Sequence, residues 1–135
     1  MNITLKQAQD VILAAKEKAI ALNTKMNITV VDSGANLVAF ARMDEAVLGA
    51  IDISLKKAKT AILFKKDTEV LGQLSQPGSA LFNIEHSNGG LITFAGGMPI
   101  HNLKGNIIGA IGISGSSVAN DKAVAGAGIL AIKAP

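Results

Sequence analysis

The stretch LITFAGGMPIHNLKGNIIGAIGISG, residues 91–115, constrains the fold of this chain most strongly, because short apolar runs and turn residues alternate along it. Ile92 and Phe94 are typical of a short strand, and Gly96-Gly97 interrupts this strand before the apolar run resumes. Lys104-Gly105-Asn106 then predicts a tight turn into a last strand. The pattern therefore predicts an antiparallel sheet that contains at least one hairpin.

Two glycines lie inside the last strand of this stretch, where β-branched residues would be usual. Gly109 and Gly112 leave part of the predicted sheet surface without side chains. Such positions often mark close approach by a helix, by another backbone or by a ligand. The sequence therefore predicts that something packs closely on this strand, and it leaves the identity of that element open.

The remaining elements follow from the spacing of apolar and capping residues. Residues 4–7 fit a capping box at the start of a helix that runs to about Leu22. A turn at residues 32–36 then joins two strands, Ile28 to Val31 and Leu37 to Met43. A second helix begins at Leu48, and brief turns follow between residues 71 and 84. A last helix is capped by Ser116 or Ser117 and has Asp121 in its first turn. This order predicts an α+β fold in which helices sandwich an antiparallel sheet or gather on one of its faces.

The length of 135 residues predicts one domain, residues 1–135, with one hydrophobic core. Apolar residues make up 49% of the chain and charged residues 17%, so we expect self-association to cover surplus apolar surface. No apolar run reaches the roughly 18 residues that cross a bilayer, and no signal-peptide pattern is present, which predicts a cytoplasmic protein without a membrane partner. The chain has no cysteine, which excludes disulfides, thiolate nucleophiles and cysteine-bound metals.

The net charge of +3 arises from twelve lysines and one arginine against ten acidic residues, and some of the lysines cluster. Five of them lie in or directly after the second predicted helix: Lys56, Lys57, Lys59, Lys65 and Lys66. A basic patch can meet phosphate or carboxylate groups. Since aromatic residues for base stacking make up only 3% of the chain, we interpret the cluster as a solvated helix face and expect no nucleic-acid partner.

His86 and His101 are the two imidazoles of the chain, and each can act as an acid, a base or an iron ligand near neutral pH. His86 lies in the polar loop IEHSNGG, and His101 lies at the predicted turn IHNLKG. Neither belongs to an HExxH frame or a similar metal-binding pattern. A solvent-facing structural role is therefore an alternative to a functional one for both residues.

Arg42 is the single arginine in a chain that uses lysine elsewhere. A guanidinium is a fork-shaped donor, so its presence at a strand end indicates bidentate pairing with a carboxylate. That carboxylate is Asp32, Asp44 or part of a ligand. The sequence favours a structural ion pair slightly, because both acids lie close by along the chain.

Several segments spread over nearly the whole chain carry a family resemblance. They are residues 31–37 (VDSGANL), 42–46 (RMDEA), 52–58 (DISLKKA), 76–78 (QPG), 96–100 (GGMPI) and 108–115 (IGAIGISG), followed by Asp121. In this order they resemble the GlcG/HbpS-like family of haem-binding proteins, which also occurs as the C-terminal domain of PduO-type cobalamin adenosyltransferases.

The resemblance implies a profilin-like α-β-α sandwich around a central five-stranded antiparallel sheet, assembled into homo-oligomers. It also implies haem binding and, in some members, haem degradation or a redox-linked accessory role. Adenosyltransferase chemistry does not follow from the resemblance, because that activity belongs to a separate N-terminal domain.

The first functional hypothesis is therefore a small-molecule binding module for haem or a related tetrapyrrole. We expect an apolar groove near Met98-Pro99-Ile100 to accept the macrocycle, Arg42 or Lys57 to meet the propionates, and His86 or His101 to approach the iron. The groove requires that the Gly96-Gly97 bend and Arg42 face one common hollow.

Two further hypotheses remain open at this point. One is a small cofactor-independent enzyme of the isomerase or hydratase type, in which Arg42 holds a carboxylated metabolite and Asp32, His86 or His101 moves a proton. The other is an oligomeric structural or accessory subunit, which the excess of apolar residues would support.

Overall fold

A computed structural model describes residues 1–132 of the chain. The helices and strands are α1 (Leu5–Ala21), β1 (Asn27–Asp32), β2 (Leu37–Arg42), α2 (Ala50–Phe64), α3 (Thr68–Leu74), β3 (Gly97–His101), β4 (Ile107–Ser114) and α4 (Val118–Ile129), with a 3-10 turn at Ile84–His86 between α3 and β3. The mixed α+β class and the predicted order of elements are confirmed. Within the described range, no helix has both the length and the apolar character that a bilayer span requires.

The strands form one antiparallel sheet in the order β2-β1-β4-β3. Over residues 1–132 this sheet has four strands, so the expectation of five is corrected. The predicted strand at Ile92 and Phe94 is irregular chain instead. Its backbone turns toward a helix, since the N–H of Ile92 donates to Thr60 Oγ1 of α2 over 3.2 Å.

One face of the sheet packs against α1 and α4. Aliphatic side chains of β1 and β4, such as Ile28 and Ile111, meet small residues of α1 and Val124 of α4 in one core. The start of α1 is fixed locally, because Thr4 Oγ1 accepts the N–H of Gln7 over 3.1 Å and the Gln7 side chain accepts the N–H of Thr4 over 2.9 Å. The predicted capping box is confirmed.

The other face of the sheet lies directly under α2. A Cβ atom at Gly112 would stand 2.0 Å from the carbonyl oxygen of Ser54 and 2.6 Å from the amide nitrogen of Ala58. A Cβ atom at Gly97 would stand 2.5 Å from the carbonyl oxygen of Lys57. Because neither glycine has a side chain, the helix backbone rests on the strand backbone, and the predicted close approach at Gly112 is that of a helix.

Gly109 serves a different contact. A Cβ atom there would stand 2.3 Å from the carbonyl oxygen of Val31 on the neighbouring strand β1. The two glycines of β4 therefore accommodate two of the predicted kinds of neighbour, a helix at Gly112 and another backbone at Gly109.

Candidate functional site

Lys57 is fully buried, in contrast to the other lysines of its cluster. Its exposed fraction is 0%, whereas Lys56 and Lys59 are half-buried and Lys65 and Lys66 are exposed. The expectation of a uniformly solvated lysine face is wrong for this residue. The reason is its place on α2, whose buried stripe also holds Ser54, Ala58 and Ala61 and faces the sheet.

The Lys57 amine makes polar contacts with two elements besides its own helix. Its Nζ donates to Asp121 Oδ2 over 2.9 Å and to the carbonyl oxygen of Ile113 over 2.8 Å. The ring centroid of Phe94 lies 5.0 Å from the same nitrogen. Asp121 Oδ1 accepts the backbone N–H of Ser116 over 3.1 Å. The pair thus joins α2, β4 and the first turn of α4.

Burial acts on both members of this ion pair in opposite directions. It lowers the pKa of Lys57, although the hydrogen bond and the charge of Asp121 oppose that shift. It raises the pKa of Asp121, although the hydrogen bond and the charge of Lys57 oppose that shift as well. Each group is therefore displaced toward its neutral form, as expected where charges leave water.

A cavity of about 360 Å³ lies beside the pair. Asp121 and Phe94 line it together with Ser114 and Ser116, and its apolar wall includes Val47 and Ile53. Its volume falls within the range of small-molecule sites. The cavity therefore places a buried carboxylate at the edge of a space that a small ligand can fill.

Arg42 lies on the edge strand β2, opposite Asn27 of β1. Asp32 ends β1 five residues further on, about 17 Å away at the rise of an extended strand. The predicted Arg42–Asp32 ion pair is therefore wrong, because the register separates the two residues. Asp32 instead closes the β1–β2 turn by accepting the N–H groups of Gly34 and Asn36, each over 2.9 Å.

A second cavity, of about 500 Å³, is lined by Arg42 and Asp44 and by two cations near the end of α1, Lys16 and Lys25. Within residues 1–132, no carboxylate lies within 4 Å of the Arg42 guanidinium, so the predicted pairing with Asp44 is absent too. Met43 also lines this cavity. Lys25 is paired with Glu45 over 2.5 Å, so Arg42 and Lys16 are the cations of this cavity without a carboxylate partner among the described residues.

The Gly96-Gly97 bend does not reach this second cavity. Strands β1 and β4 lie between β2 and β3, so about 14 Å of sheet separates Arg42 from Gly97. Gly97 is buried against Lys57 and Thr68. The common hollow expected from the sequence is therefore corrected.

The residues that follow the bend do not form an open groove. Met98 and Ile100 are 8% and 0% exposed and belong to the core under α1 and α4. Pro99 is buried in the same strand. The groove expected at Met98-Pro99-Ile100 is thus filled by the protein's own helices.

The two histidines are exposed and lie on different elements. His86 ends the 3-10 turn, and His101 ends β3. The pKa of Asp67 is raised by burial, and the charges of Lys122 and His101 act in the opposite direction. Within residues 1–132, no three His, Cys, Asp or Glu side chains are grouped as metal ligands.

The mixed α+β fold of this chain, an antiparallel sheet between helical layers, matches several solved structures. The chain is similar to Klebsiella pneumoniae protein ORFY, with 36% identity, coverage of 96% of this chain and 90% of that one, and a TM-score of 0.92. It is also similar to the chain in a PduOC:heme complex, with 33% identity, coverage of 100% and 98%, and a TM-score of 0.92.

A family model described as haem degrading protein HbpS-like matches residues 3–130, and this chain belongs to that family. An uncharacterized 15.0 kDa protein from the dhaT-dhaS intergenic region of Citrobacter freundii is 37% identical over 125 residues, which cover 92% of this chain and 87% of the relative. The resemblance predicted from the sequence motifs is confirmed.

Proposed function

We propose that this protein is a small-molecule binding module whose ligand is haem. The observation that carries the proposal is the match to the PduOC:heme complex, which is 33% identical and covers 98% of that chain. Since the match extends over the whole fold, it supports a shared ligand class. The family description, which names haem degradation, supports the same class.

The loop between α3 and β3 offers the residues that fit a haem group. His86 is exposed, and Phe82 of the same loop keeps 52% of its surface exposed. Lys59 Nζ donates to the carbonyl oxygen of Asn88, and a Cβ atom at Gly90 would lie 3.4 Å from Lys56 Nζ. The loop thus carries an exposed imidazole and an exposed aromatic ring, and two lysines of α2 lie against its end at Asn88 and Gly90, one of them, Lys56, paired with Asp52 over 3.0 Å.

In the proposed complex, each of these residues contacts a different part of the haem group. The imidazole of His86 offers a nitrogen to the iron, Lys56 and Lys59 attract the propionates, and Phe82 covers part of the macrocycle. When bound, haem supplies an iron centre for electron or oxygen chemistry. His101, the other histidine considered as an iron ligand, ends β3 and lies outside this loop.

Titration with hemin tests this proposal. We expect a saturable shift of the Soret band in the wild-type protein and a loss of at least about tenfold in affinity for His86→Ala, since a lost iron ligand is among the larger effects at such sites. His101→Ala is the matched control and should bind as the wild type does. Equal binding by both variants would overturn the ligand assignment, and an unsaturable wild-type titration would overturn haem binding itself.

A haem-degrading or redox-linked accessory role is the finer part of the proposal. It rests on the family description, which matches residues 3–130. The Soret band of the hemin-loaded protein should then decay faster than that of free hemin when ascorbate and oxygen are supplied. A Soret band that persists in the loaded protein would restrict the function to binding.

A carboxylated metabolite is a second candidate ligand, at the cavity beside Arg42. The specific observation is that no carboxylate of the described residues pairs with Arg42, which shares this cavity with Lys16, whereas Lys25 is paired with Glu45 over 2.5 Å. A guanidinium of this kind suits a ligand carboxylate. Asp32, His86 and His101 lie elsewhere, so an isomerase or hydratase would need Asp44 as its base.

Incubation of the protein with a metabolite pool, followed by mass spectrometry, tests this candidate. Arg42→Ala should abolish any consumption that the wild type shows, and Arg42→Lys should retain part of it. A pool left unchanged by the wild type would leave binding without catalysis as the function.

Homo-oligomer formation is proposed from the apolar side chains that surround β2. Leu37, Val47 and Leu48 are 58%, 62% and 68% exposed, and β2 is an edge strand of the sheet. Apolar surface beside an unpaired strand edge favours association. Light scattering should give a mass above that of the 13.8 kDa chain, and Leu48→Glu should lower it.

A further inference from the structure

We propose that Lys57 is a nucleophilic amine that forms an imine with a small, neutral aldehyde or ketone, with Asp121 as the proton acceptor, in the cavity that Asp121 and Phe94 line. This site is separate from the haem surface around His86. The inference goes beyond haem binding and does not depend on it.

The geometry of the pair is that of a nucleophile and its base. Lys57 Nζ and Asp121 Oδ2 are 2.9 Å apart, which is hydrogen-bond reach for proton transfer. The base is itself oriented by a third group, because the N–H of Ser116 holds Asp121 Oδ1 at 3.1 Å. Nucleophile, base and orienting donor are thus assembled within one buried cluster.

A stabilising ion pair alone does not account for this arrangement. Removing both charges from water is costly, and a pair of apolar side chains would fill the same space without that penalty. The backbone is also adapted to the amine. Gly96 has φ +126°, and a Cβ atom there would lie 2.7 Å from Lys57 Nζ. Glycine at this position therefore lets the backbone pack directly against the amine.

The pKa directions agree with a reactive amine. Burial lowers the pKa of Lys57 and raises that of Asp121, so the form with a neutral amine and a protonated carboxyl is favoured relative to a pair in water. An unperturbed lysine is neutral in only about 0.04% of molecules at pH 7. A neutral amine is the form that attacks a carbonyl carbon.

Phe94 controls access to the amine. Its ring lies over Nζ and keeps 46% of its surface exposed, so the ring separates Nζ from the adjacent cavity. The strap that carries it, residues 93–96, is irregular chain between two fixed points. The backbone N–H of Ile92 donates a hydrogen bond to Thr60 Oγ1, and the backbone N–H of Gly97 donates one to Thr68 Oγ1 over 2.9 Å. We expect rotation of this ring to expose the amine to the cavity.

The cavity selects for the class of substrate. Its volume is about 360 Å³, and its walls combine Val47 and Ile53 with the hydroxyls of Ser114 and Ser116. Its lining residues include no cation that could pair with a carboxylated substrate. A short, uncharged carbonyl compound fits both the size and the charge of the space.

The chemical step balances without a cofactor. Asp121 takes a proton from the Lys57 ammonium, and the neutral nitrogen forms a bond to the carbonyl carbon while the carbonyl oxygen becomes a hydroxyl with a proton from the carboxyl. Asp121 then takes a proton from the nitrogen and passes it to the hydroxyl, which leaves as water; the C–O bond breaks and a protonated C=N bond to Lys57 forms beside the Asp121 carboxylate. The amine and the carbonyl compound give one imine and one water, and nothing is oxidised or reduced.

Trapping with propionaldehyde and sodium cyanoborohydride at pH 7 tests the proposal. Reduction of an imine leaves a stable propyl group, which peptide mass spectrometry locates. We expect Lys57 of the native protein to be labelled at least about tenfold faster than the exposed Lys66, because Asp121 is positioned to take the proton of Lys57. Unfolding in urea should abolish this preference.

Two variants separate reactivity from access. Asp121→Asn should slow labelling of Lys57 by at least about tenfold, the lower range of what a positioned base contributes. Phe94→Ala should accelerate it, since the ring no longer covers the amine. If Asp121→Asn fails to fold, the wild-type ratio of Lys57 to Lys66 and the Phe94→Ala rate still decide. Labelling of Lys66 with Lys57 unmodified in the native wild type would overturn the proposal.

Discussion

The two faces of the sheet are built on different principles. Toward α1 and α4, the sheet presents large aliphatic side chains such as Ile28, Ile111 and Ile113, which fill the space between layers. Toward α2, it presents Gly97 and Gly112 at contact distance, together with hydroxyl groups. The first face separates layers by side-chain volume, and the second brings backbones together.

This difference separates a face that mainly supplies packing energy from a face that holds polar groups in fixed positions. Aliphatic packing is non-directional, so its energy depends on volume and buried area. The α2 face depends on directional contacts, among them Thr29 Oγ1 with Ser54 Oγ at 2.9 Å and Lys57 with Asp121 at 2.9 Å. Directional contacts fix one amine in one place, as a reactive group requires.

The largest expected effect comes from breaking the buried pair on the α2 face. Asp121→Ala should lower the free energy of unfolding by about 4 kcal/mol, because it leaves the Lys57 charge buried and unpaired. The double variant Lys57→Met with Asp121→Leu is the control, and it should recover most of that loss. Urea denaturation measures both. A loss below about 1 kcal/mol for Asp121→Ala would show that the pair is not held as described.

The next effect tests the backbone contact itself. Gly112→Ala should lower the free energy of unfolding by about 3 kcal/mol, because the added methyl would stand 2.0 Å from the Ser54 carbonyl oxygen and push α2 outward. Gly126→Ala in α4 is the matched control, since its Cβ would meet nothing within 4 Å. We expect that control to stabilise the protein by about 0.5 kcal/mol. Similar melting temperatures for the two variants would contradict the comparison.

The aliphatic face should respond more mildly to a change of comparable size. Ile111→Val removes one methylene from a fully buried side chain and should cost about 1 kcal/mol in urea denaturation. Labelling of Lys57 by propionaldehyde should remain at the wild-type rate. A changed labelling rate would mean that the two faces are not independent.

The smallest effect concerns Asp32, which lies at a turn outside both interfaces. The hydrogen bond from the Asn36 backbone, with that from Gly34, holds the pKa of Asp32 below its ordinary value. Its carboxylate therefore contributes stability above the unfolded value of about 3.9, and this contribution is lost as the pH falls through the folded value. The stability difference between the wild type and Asp32→Asn should be present at pH 7 and shrink in acid.

The pKa shift of Asp121 has the opposite direction to that of Asp32, so the turn and the α2 face should respond to pH in opposite ways. Burial raises its pKa, so its own contribution is present below the unfolded value and is lost as the pH rises through the folded value. A difference for Asp32→Asn that stays constant from pH 7 into acid would contradict the assignment at the turn.

Local signals made much of the fold predictable. The capping box needs only residues 4–7, and the turn at residues 32–36 needs only the side chain of Asp32. Both features depend on contacts between residues near each other in the chain. The glycine at position 112 predicted a close neighbour correctly, because a strand interior normally carries side chains and their absence leaves room for another backbone.

The long-range features were not predictable in the same way. Ile92 and Phe94 alternate as strand residues do, yet the N–H of Ile92 is bonded to a threonine of α2. The absence of an Arg42–Asp32 pair follows from strand register, which the spacing of the two residues does not reveal. Both outcomes depend on tertiary contacts that override local pattern.

The buried site was not predicted from the sequence, although a signal for it was present. Ser54, Lys57, Ala58 and Ala61 follow helical spacing, and a stripe of small residues with one lysine is typical of a helix face pressed against a sheet. The lysine cluster obscured this signal, because its other four members are exposed or half-buried. The partner, Asp121, lies 64 positions away along the chain.

The strap that carries Phe94 sets a size limit of its own. Only residues 93–96 lie between the anchors at Ile92 and Gly97, so the segment can turn a ring aside but is too short to lift away as a flap. We expect a gate of this kind to select molecules by size. Molecules with a few heavy atoms pass, and bulky aldehydes, sugars or peptides are excluded before any bond is made.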